Sequence, residues 1–182
     1  MFNKKNIEAY YFIDKINDST ISTISKFKNI SLIYLNHNDT SFLNTEDLNN
    51  IKKFCNKNNI KFYLTDNIRL AIKFKANGVY LTKNYNRMLH NFNYKKEFLI
   101  LGSVHNQLEY YQKKIQNCKK FFLSPIFYNK KYSINRILGV IKFKIISKDW
   151  KNEAIPLSGI NQRNIKKAIL ANKNQIAFRS WK

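Results

Sequence analysis

Short runs rich in aromatic and β-branched residues recur eight times along the chain, each separated from the next by a stretch long enough for a helix. The runs are Ala9–Asp14, Ile30–Leu35, Lys61–Thr65, Gly78–Leu81, Phe98–Leu101, Phe121–Leu123, Ala154–Leu157 and Gln175–Phe178. Successive starts lie between 17 residues (Lys61 to Gly78) and 33 residues (Phe121 to Ala154) apart. That is too far for hairpins and enough for a crossover helix. Four intervening segments keep the i, i+3, i+4, i+7 rhythm of a helix packed on one side: Leu48, Ile51 and Cys55; Ile68, Ala71 and Ile72; Leu108, Tyr111, Ile115 and Cys118; Ile165, Ala168 and Ile169. Thr45 before Glu46 and Asp47 marks a helix start, and Asn106 with Glu109 has capping-box spacing. Regular βα alternation specifies parallel strands with helices outside.

Eight parallel strands are enough to close a ring, which removes the exposed edges of a sheet. The expected fold is therefore α/β, a (β/α)8 TIM barrel in one domain spanning 1–182. It is shortened, because only Arg179, Ser180, Trp181 and Lys182 follow the eighth run and the final helix is lacking. Two links are poorly marked: Tyr85–Asn91 makes a weak helix, and Ile141–Ile146 reads equally at period two and at period 3.6. An open doubly wound sheet is the alternative. A missing last helix should leave apolar surface beside the eighth strand and favour a homo-oligomer.

The longest unbroken apolar run, Ala9 to Ile13, has five residues, against roughly 18 for a membrane span. Two lysines precede a run too short for a signal-peptide core, and two cysteines make no disulfide framework, so the expected setting is the reducing cytoplasm. A net charge of +22 would ordinarily point to nucleic acid. Its make-up argues otherwise. Of 33 basic residues 28 are Lys and only five Arg, and Lys, Asn and Ile together supply 79 of 182 positions. These are residues of A/T-rich codons, whereas arginine, the preferred fork for bases and phosphates, is scarce. Nucleic acid is not the expected partner.

No short motif is chemistry on its own. The four glycines are scattered singletons, so there is no phosphate loop, and His37, His90 and His105 lack zinc spacing. Each histidine reads as a surface or internally satisfied side chain. Ser103, His105 and Asp66 could be written as a triad, but no nucleophile-elbow sequence accompanies them. The informative residues follow strand ends, where a parallel barrel places its site: Thr65-Asp66-Asn67, Ser103-Val104-His105, Ser124-Pro125-Ile126-Phe127, Ser158-Gly159-Ile160 and Ser180. Small hydroxyls and a glycine there suit a phosphate, which wants close backbone N–H groups.

The stretch from Phe62 to Arg179 resembles the thiamine phosphate synthase and thiazole tautomerase family of phosphate-binding barrels. Leu64-Thr65-Asp66-Asn67, Leu70-Ala71, Ala76 and Gly78-Val79-Tyr80-Leu81 are similar to the family's Ile-Asn-Asp-Arg…Leu-Ala…Ala-x-Gly-Val-His-Leu. Ser103-Val104-His105, Ser124-Pro125-Ile126-Phe127, Leu138-Gly139, Pro156 to Ile160, and Ile176-Ala177 with Ser180 match further family stretches in order. The resemblance implies a transferase that joins a pyrimidine methyl diphosphate to a thiazole phosphate with release of pyrophosphate, assisted by Mg²⁺. Carried over, Asp66 is the magnesium carboxylate, Ser103 a pyrophosphate or pyrimidine contact, and Gly159 with Ser180 the thiazole-phosphate cradle. Asp66 reads equally as the N-terminal cap of the helix beginning near Ile68. The implied partners are phosphorylated small molecules.

The departures are specific. The family's second-strand Gln-x-Arg-x-Lys stands here as Tyr34-Leu35-Asn36-His37-Asn38, so both cations are gone and Asn36 is left as the substrate contact. The second magnesium aspartate falls on Tyr85, and Thr-x-Thr-Lys becomes Asn129-Lys130-Lys131-Tyr132, where Asn129, Lys130 and Lys131 become the candidate contacts. The tautomerase branch uses a histidine where this chain has Pro125, which argues against that activity. In its Ser124-Pro125-Ile126-Phe127 turn and reduced second-strand motif the chain looks like the divergent, alphaproteobacterial-style members of the family. A second reading stays open: a catalytically degenerate barrel that binds a phosphorylated, thiamine-related ligand.

Overall fold

A computed structural model describes residues 7–35, 45–88, 97–150, 153–172 and 174–181. Eight parallel strands run β1 (Glu8–Ile13), β2 (Asn29–Tyr34), β3 (Lys61–Thr65), β4 (Gly78–Leu81), β5 (Leu99–Val104), β6 (Lys120–Leu123), β7 (Ala154–Pro156) and β8 (Gln175–Phe178). Neighbours in sequence are neighbours in the sheet, and β1 also pairs with β8. The ring closes between β7 and β8 through a single parallel bridge, Leu157 to Ala177. The fold is a (β/α)8 TIM barrel and not an open doubly wound sheet.

Strand alternation divides the core in two. Tyr10, Phe12, Ile33, Tyr63, Tyr80, Leu101, Phe122, Ile155 and Ala177 point into the barrel. Their neighbours Ala9, Tyr11, Ile13, Leu32, Leu64, Val79, Phe121 and Ile176 point outward beneath the helices. The interior is filled by aromatic rings edge to face: Tyr10 on Phe122 at 5.1 Å, Phe12 on Tyr80 at 5.0 Å and Tyr80 on Phe122 at 5.3 Å between centres. It is a solid plug, so a ligand can only sit above it.

At the amino ends of the strands a polar layer closes the barrel. The Glu8 carboxylate accepts from Lys120 Nζ at 2.8 Å, from the Tyr10 hydroxyl and from Gln175 Nε2, and Lys120 also donates to the Tyr10 hydroxyl at 2.9 Å. Burial alone would raise the Glu8 carboxyl, but these donors and the Lys120 charge outweigh it and leave it below the usual value. A carboxyl lowered in the folded state stabilises the fold above its unfolded value and ceases to do so as pH falls through the folded one. Glu8→Gln should therefore flatten the acid limb of melting temperature against pH between about 5 and 3, and an unchanged limb would place the acid sensitivity elsewhere.

The helices are α1 (Asp18–Ile24), α2 (Thr45–Lys57), α3 (Ile68–Lys73), α4 (Gln107–Ile115), α5 (Gly139–Ile146) and α6 (Ile165–Ala171). Helix α1 carries little apolar periodicity, because its buried positions include Thr20 and Thr23, whose hydroxyls bond to the Lys15 and Ser19 carbonyls. The ambiguous 141–146 stretch is helical, and none of the described residues between β4 and β5 form a helix.

Two sequence expectations are corrected. In α4 the stripe Leu108, Tyr111 and Ile115 faces solvent, at 76%, 53% and 64% exposure, while Tyr110 and Lys113 are buried. Tyr110 stacks flat on Trp150 at 4.3 Å, and Lys113 donates to the Tyr85 carbonyl and the Gln116 side chain. The stem of Lys113 and the thiol of Cys118 occupy the space beside Gly102. The inner face thus goes to the ring that stacks on Trp150 and to the alkyl stem that fills the space beside Gly102. The apolar surface expected beside β8 is also covered: Trp181 lies 4.9 Å from both Phe27 and Phe178, doing with one ring what a last helix would do. Cys55 and Cys118 are both free and buried, and burial pushes each thiol up to about 12.

Candidate active site at the carboxyl ends of the strands

Each strand delivers its next residues to the same end of the ring, and there a cleft of about 1520 Å³ opens above the aromatic plug, with Phe12, Leu35 and Tyr80 in its floor. Ser103, next to last in β5, reaches this floor, buried, in hydrogen-bonding contact with the Tyr80 phenol. Burial pushes that phenol far above its usual value and keeps it neutral.

Asp66 takes a left-handed conformation, φ 54°, immediately after β3. Its Oδ1 accepts from the Thr82 amide at 2.7 Å and its Oδ2 from the Thr82 hydroxyl at 2.6 Å. The carboxylate therefore ties the end of β3 to the end of β4. It does not cap α3, a role taken by Asn67, whose Oδ1 accepts from the Leu70 amide at 2.9 Å. Asp66 sits behind the wall of the cleft, and its partner Thr82 forms part of that wall. A magnesium ion usually takes one or two protein carboxylates beside substrate phosphates. Both oxygens of Asp66 are already engaged, and among the described residues no three His, Cys, Asp or Glu side chains gather as a metal site. Among the described residues the chain by itself builds no magnesium cage, and Asp66 is the one carboxylate of the implied pair that is present.

The loops after β6 and β7 are joined by backbone and side chain. Phe127 N–H donates to the Ser158 carbonyl at 3.2 Å, and Asn129 Nδ2 donates to the Ser158 hydroxyl at 3.2 Å. Gly159, at φ 73°, lies so close to this loop that a Cβ would stand 2.5 Å from the Phe127 carbonyl oxygen. Only glycine fits. The cleft is bordered by Asn129, Lys130, Lys131, Gly159 and Ser180, together with Ser103. The structure thus gathers these six expected residues in one place. Asn36 lies outside the described residues.

Three further cations reach the same cleft: Lys83 just after β4, Arg136 in the 3-10 turn Ile134–Arg136, and Arg179 after β8. Arg179 is shared with Asp14 at 3.2 Å. With Lys130 and Lys131 they make five, against one lining carboxylate, Glu109. Position after a strand was the signal that could have found Lys83 and Arg179, while Arg136 sits too far along its loop for such a rule. His105 is also in the wall, its Nδ1 2.8 Å from Glu109 Oε2.

A closed parallel barrel with an open, cation-bordered cleft over its strand ends defines the general class. Residues 28–181 match the family model of thiamine monophosphate synthase, and the chain belongs to that family. It is 26% identical over 187 residues to the thiamine-phosphate synthase of Pelagibacter ubique (strain HTCC1062), covering 98% of this chain and 90% of the relative. Among solved structures it is similar to the thiamine phosphate pyrophosphorylase of Pyrococcus furiosus, at 15% identity and TM-score 0.69 over 96% of this chain and 86% of that one. The thiamine phosphate pyrophosphorylase of Bacteroides thetaiotaomicron matches at 14% identity and TM-score 0.60, over 96% and 82%. At such identities the solved structures speak for the fold. No helix among the described residues is long and apolar enough to cross a membrane.

Proposed function

We propose that the chain is a thiamine phosphate synthase-type transferase, joining a hydroxymethylpyrimidine diphosphate to a thiazole phosphate and releasing pyrophosphate. The observation that carries this reading is the ring of five cations around one cleft in a chain of this family. In such a reaction the carbon–oxygen bond to the diphosphate breaks, its electron pair leaves with pyrophosphate, and the thiazole nitrogen supplies the pair for the new carbon–nitrogen bond. The protein needs no nucleophile of its own. Lys130, Lys131 and Arg136 neutralise the leaving charge, and Lys83, just after β4, borders the same cleft and supplies a cation where this sequence lacks the second-strand pair. Ser103, held by Tyr80, orients the pyrimidine, and the tight Gly159 turn with Ser180 receives the thiazole phosphate.

The test is a purified assay of the two substrates with and without Mg²⁺, reading pyrophosphate release and thiochrome fluorescence. Turnover supports the transferase. Thiazole phosphate binding without turnover would favour the degenerate binder, a reading to which the engaged Asp66 and the absent second carboxylate at Tyr85 lend weight. Neither turnover nor binding would remove both.

Asp66 separates these outcomes. In Asp66→Asn the amide oxygen can still accept from the Thr82 N–H and its NH2 can donate to the Thr82 hydroxyl, and Asn tolerates the left-handed backbone. The melting temperature should stay within about 3 °C of wild type. If Asp66 holds magnesium, Mg²⁺-dependent turnover should fall at least about tenfold, and full retained turnover would leave it only the strand-tying role.

A further inference from the structure

Helix α4 begins with an unusual arrangement. Asn106 caps it, accepting from the Glu109 amide at 2.9 Å, and Glu109 Oε1 accepts in return from the Asn106 side-chain Nδ2 at 3.4 Å, not from the Asn106 backbone N–H as a capping box requires. Its Oε2 accepts instead from the His105 backbone N–H and the His105 ring Nδ1, both at 2.8 Å. A carboxylate oxygen only accepts, so Nδ1 carries the proton and the ring is held at both ends of one residue. His105 borders the cleft, its side chain is 24% exposed, and Nε2 has no protein partner among the described residues.

The surroundings of that free nitrogen decide what it does. Facing the ring are Glu109 from α4 and Tyr132 from the loop after β6, at 6.3 Å between ring centres, and Lys83, Lys130, Lys131 and Arg136 border the same cleft. Those cations oppose a further positive charge, the Glu109 carboxylate 2.8 Å from the ring favours one, and an arriving anion tips the balance toward it. We infer that His105 is a proton-linked anion contact: when a phosphoryl oxygen enters the cleft, Nε2 takes a proton from solvent and donates it as a hydrogen bond, with Glu109 holding the opposite nitrogen. The inference rests on the phosphate-binding reading proposed above and makes anion binding at that site proton-linked. Lysine, arginine and tyrosine side chains ordinarily titrate above the interval in which histidine does, so the linkage belongs to an imidazole.

Sulfate is a suitable probe, because it mimics a phosphoryl group and keeps constant charge from pH 5 to 9. The imidazole Hε1 resonances of the full chain are followed by NMR across that interval with and without sulfate, that of His105 being assigned by its absence in His105→Gln. The inference expects sulfate to raise the His105 midpoint by about 0.5 unit or more and expects Glu109→Gln to reduce the shift; by reciprocity the sulfate affinity should then fall at least about threefold as pH rises past the midpoint. A role confined to capping α4 would lower the melting temperature of His105→Gln without any sulfate-linked shift in wild type. If His105 shows no sulfate-linked shift while thiazole phosphate still binds by calorimetry, the inference is overturned and the proposed function stands. If thiazole phosphate binding is absent too, both fall.

Discussion

Gly78→Ala is expected to destabilise the chain by about 3 kcal/mol or more, lowering the melting temperature of a domain this size by roughly 6–12 °C. Gly78 opens β4 and pairs with Leu99 of β5, and a Cβ at Gly78 would lie 1.9 Å from the Leu99 carbonyl oxygen and under 3 Å from the Leu99 carbonyl carbon and nitrogen. The obstacle is backbone, not the end of a flexible side chain, so relief requires the two strands to separate. Gly139→Ala is the matched control. Gly139 has φ 63° but nothing within 4 Å of its Cβ position, so only the left-handed strain of about 1–2 kcal/mol is incurred. If the two variants melt together, the β4–β5 register described above is wrong.

Gly159→Ala should act on the cleft more than on the fold. The added methyl would meet the Phe127 carbonyl oxygen at 2.5 Å and the Tyr128 carbonyl oxygen at 2.7 Å, with φ 73° adding strain. Something must yield, and the segment with least buried apolar support is the loop carrying Tyr128, Asn129, Lys130 and Lys131, all exposed. Displacing it moves two of the five cations and breaks the Asn129–Ser158 hydrogen bond. Thiazole phosphate affinity, measured by calorimetry, is expected to fall at least about tenfold, with a melting temperature loss smaller than that of Gly78→Ala. Affinity within about twofold of wild type would take Gly159 out of the ligand site.

Much of the barrel was legible because its strands are short, β-branched and aromatic, and because the spaces between them have helical length. Ala154–Leu157 could be found although it yields only three strand residues, since a Gly-containing turn bounds it. What misled was helix facing. Leu108, Tyr111 and Ile115 have the spacing of a buried stripe, yet packing is decided by what stands opposite, and there Trp150 takes Tyr110 and Gly102 makes room for Lys113. The position of Ser103, Gly159 and Ser180 around one opening followed from strand order, because a parallel barrel sends every strand end to one rim, whereas Lys130 and Lys131 came from the family resemblance. Partners chosen by local geometry were not legible: the Asp66 grip on Thr82, the Glu109 grip on His105, and the arrival of Arg136 from a loop. Each depends on a backbone turn that residue types do not announce.

The ring has one thin seam. Every other strand boundary is a ladder of three or more paired residues, whereas β7 and β8 meet only at Leu157 and Ala177. Gly159 follows the first of these strands and Ser180 the second, so a phosphate held between them would span the seam from above. Such a ligand is a rivet: its oxygens would join two walls that the backbone scarcely joins. Amides flanking the seam should then exchange with solvent soonest in the empty protein and slow most when the cleft is filled, so that occupancy is written into the mechanical continuity of the cylinder.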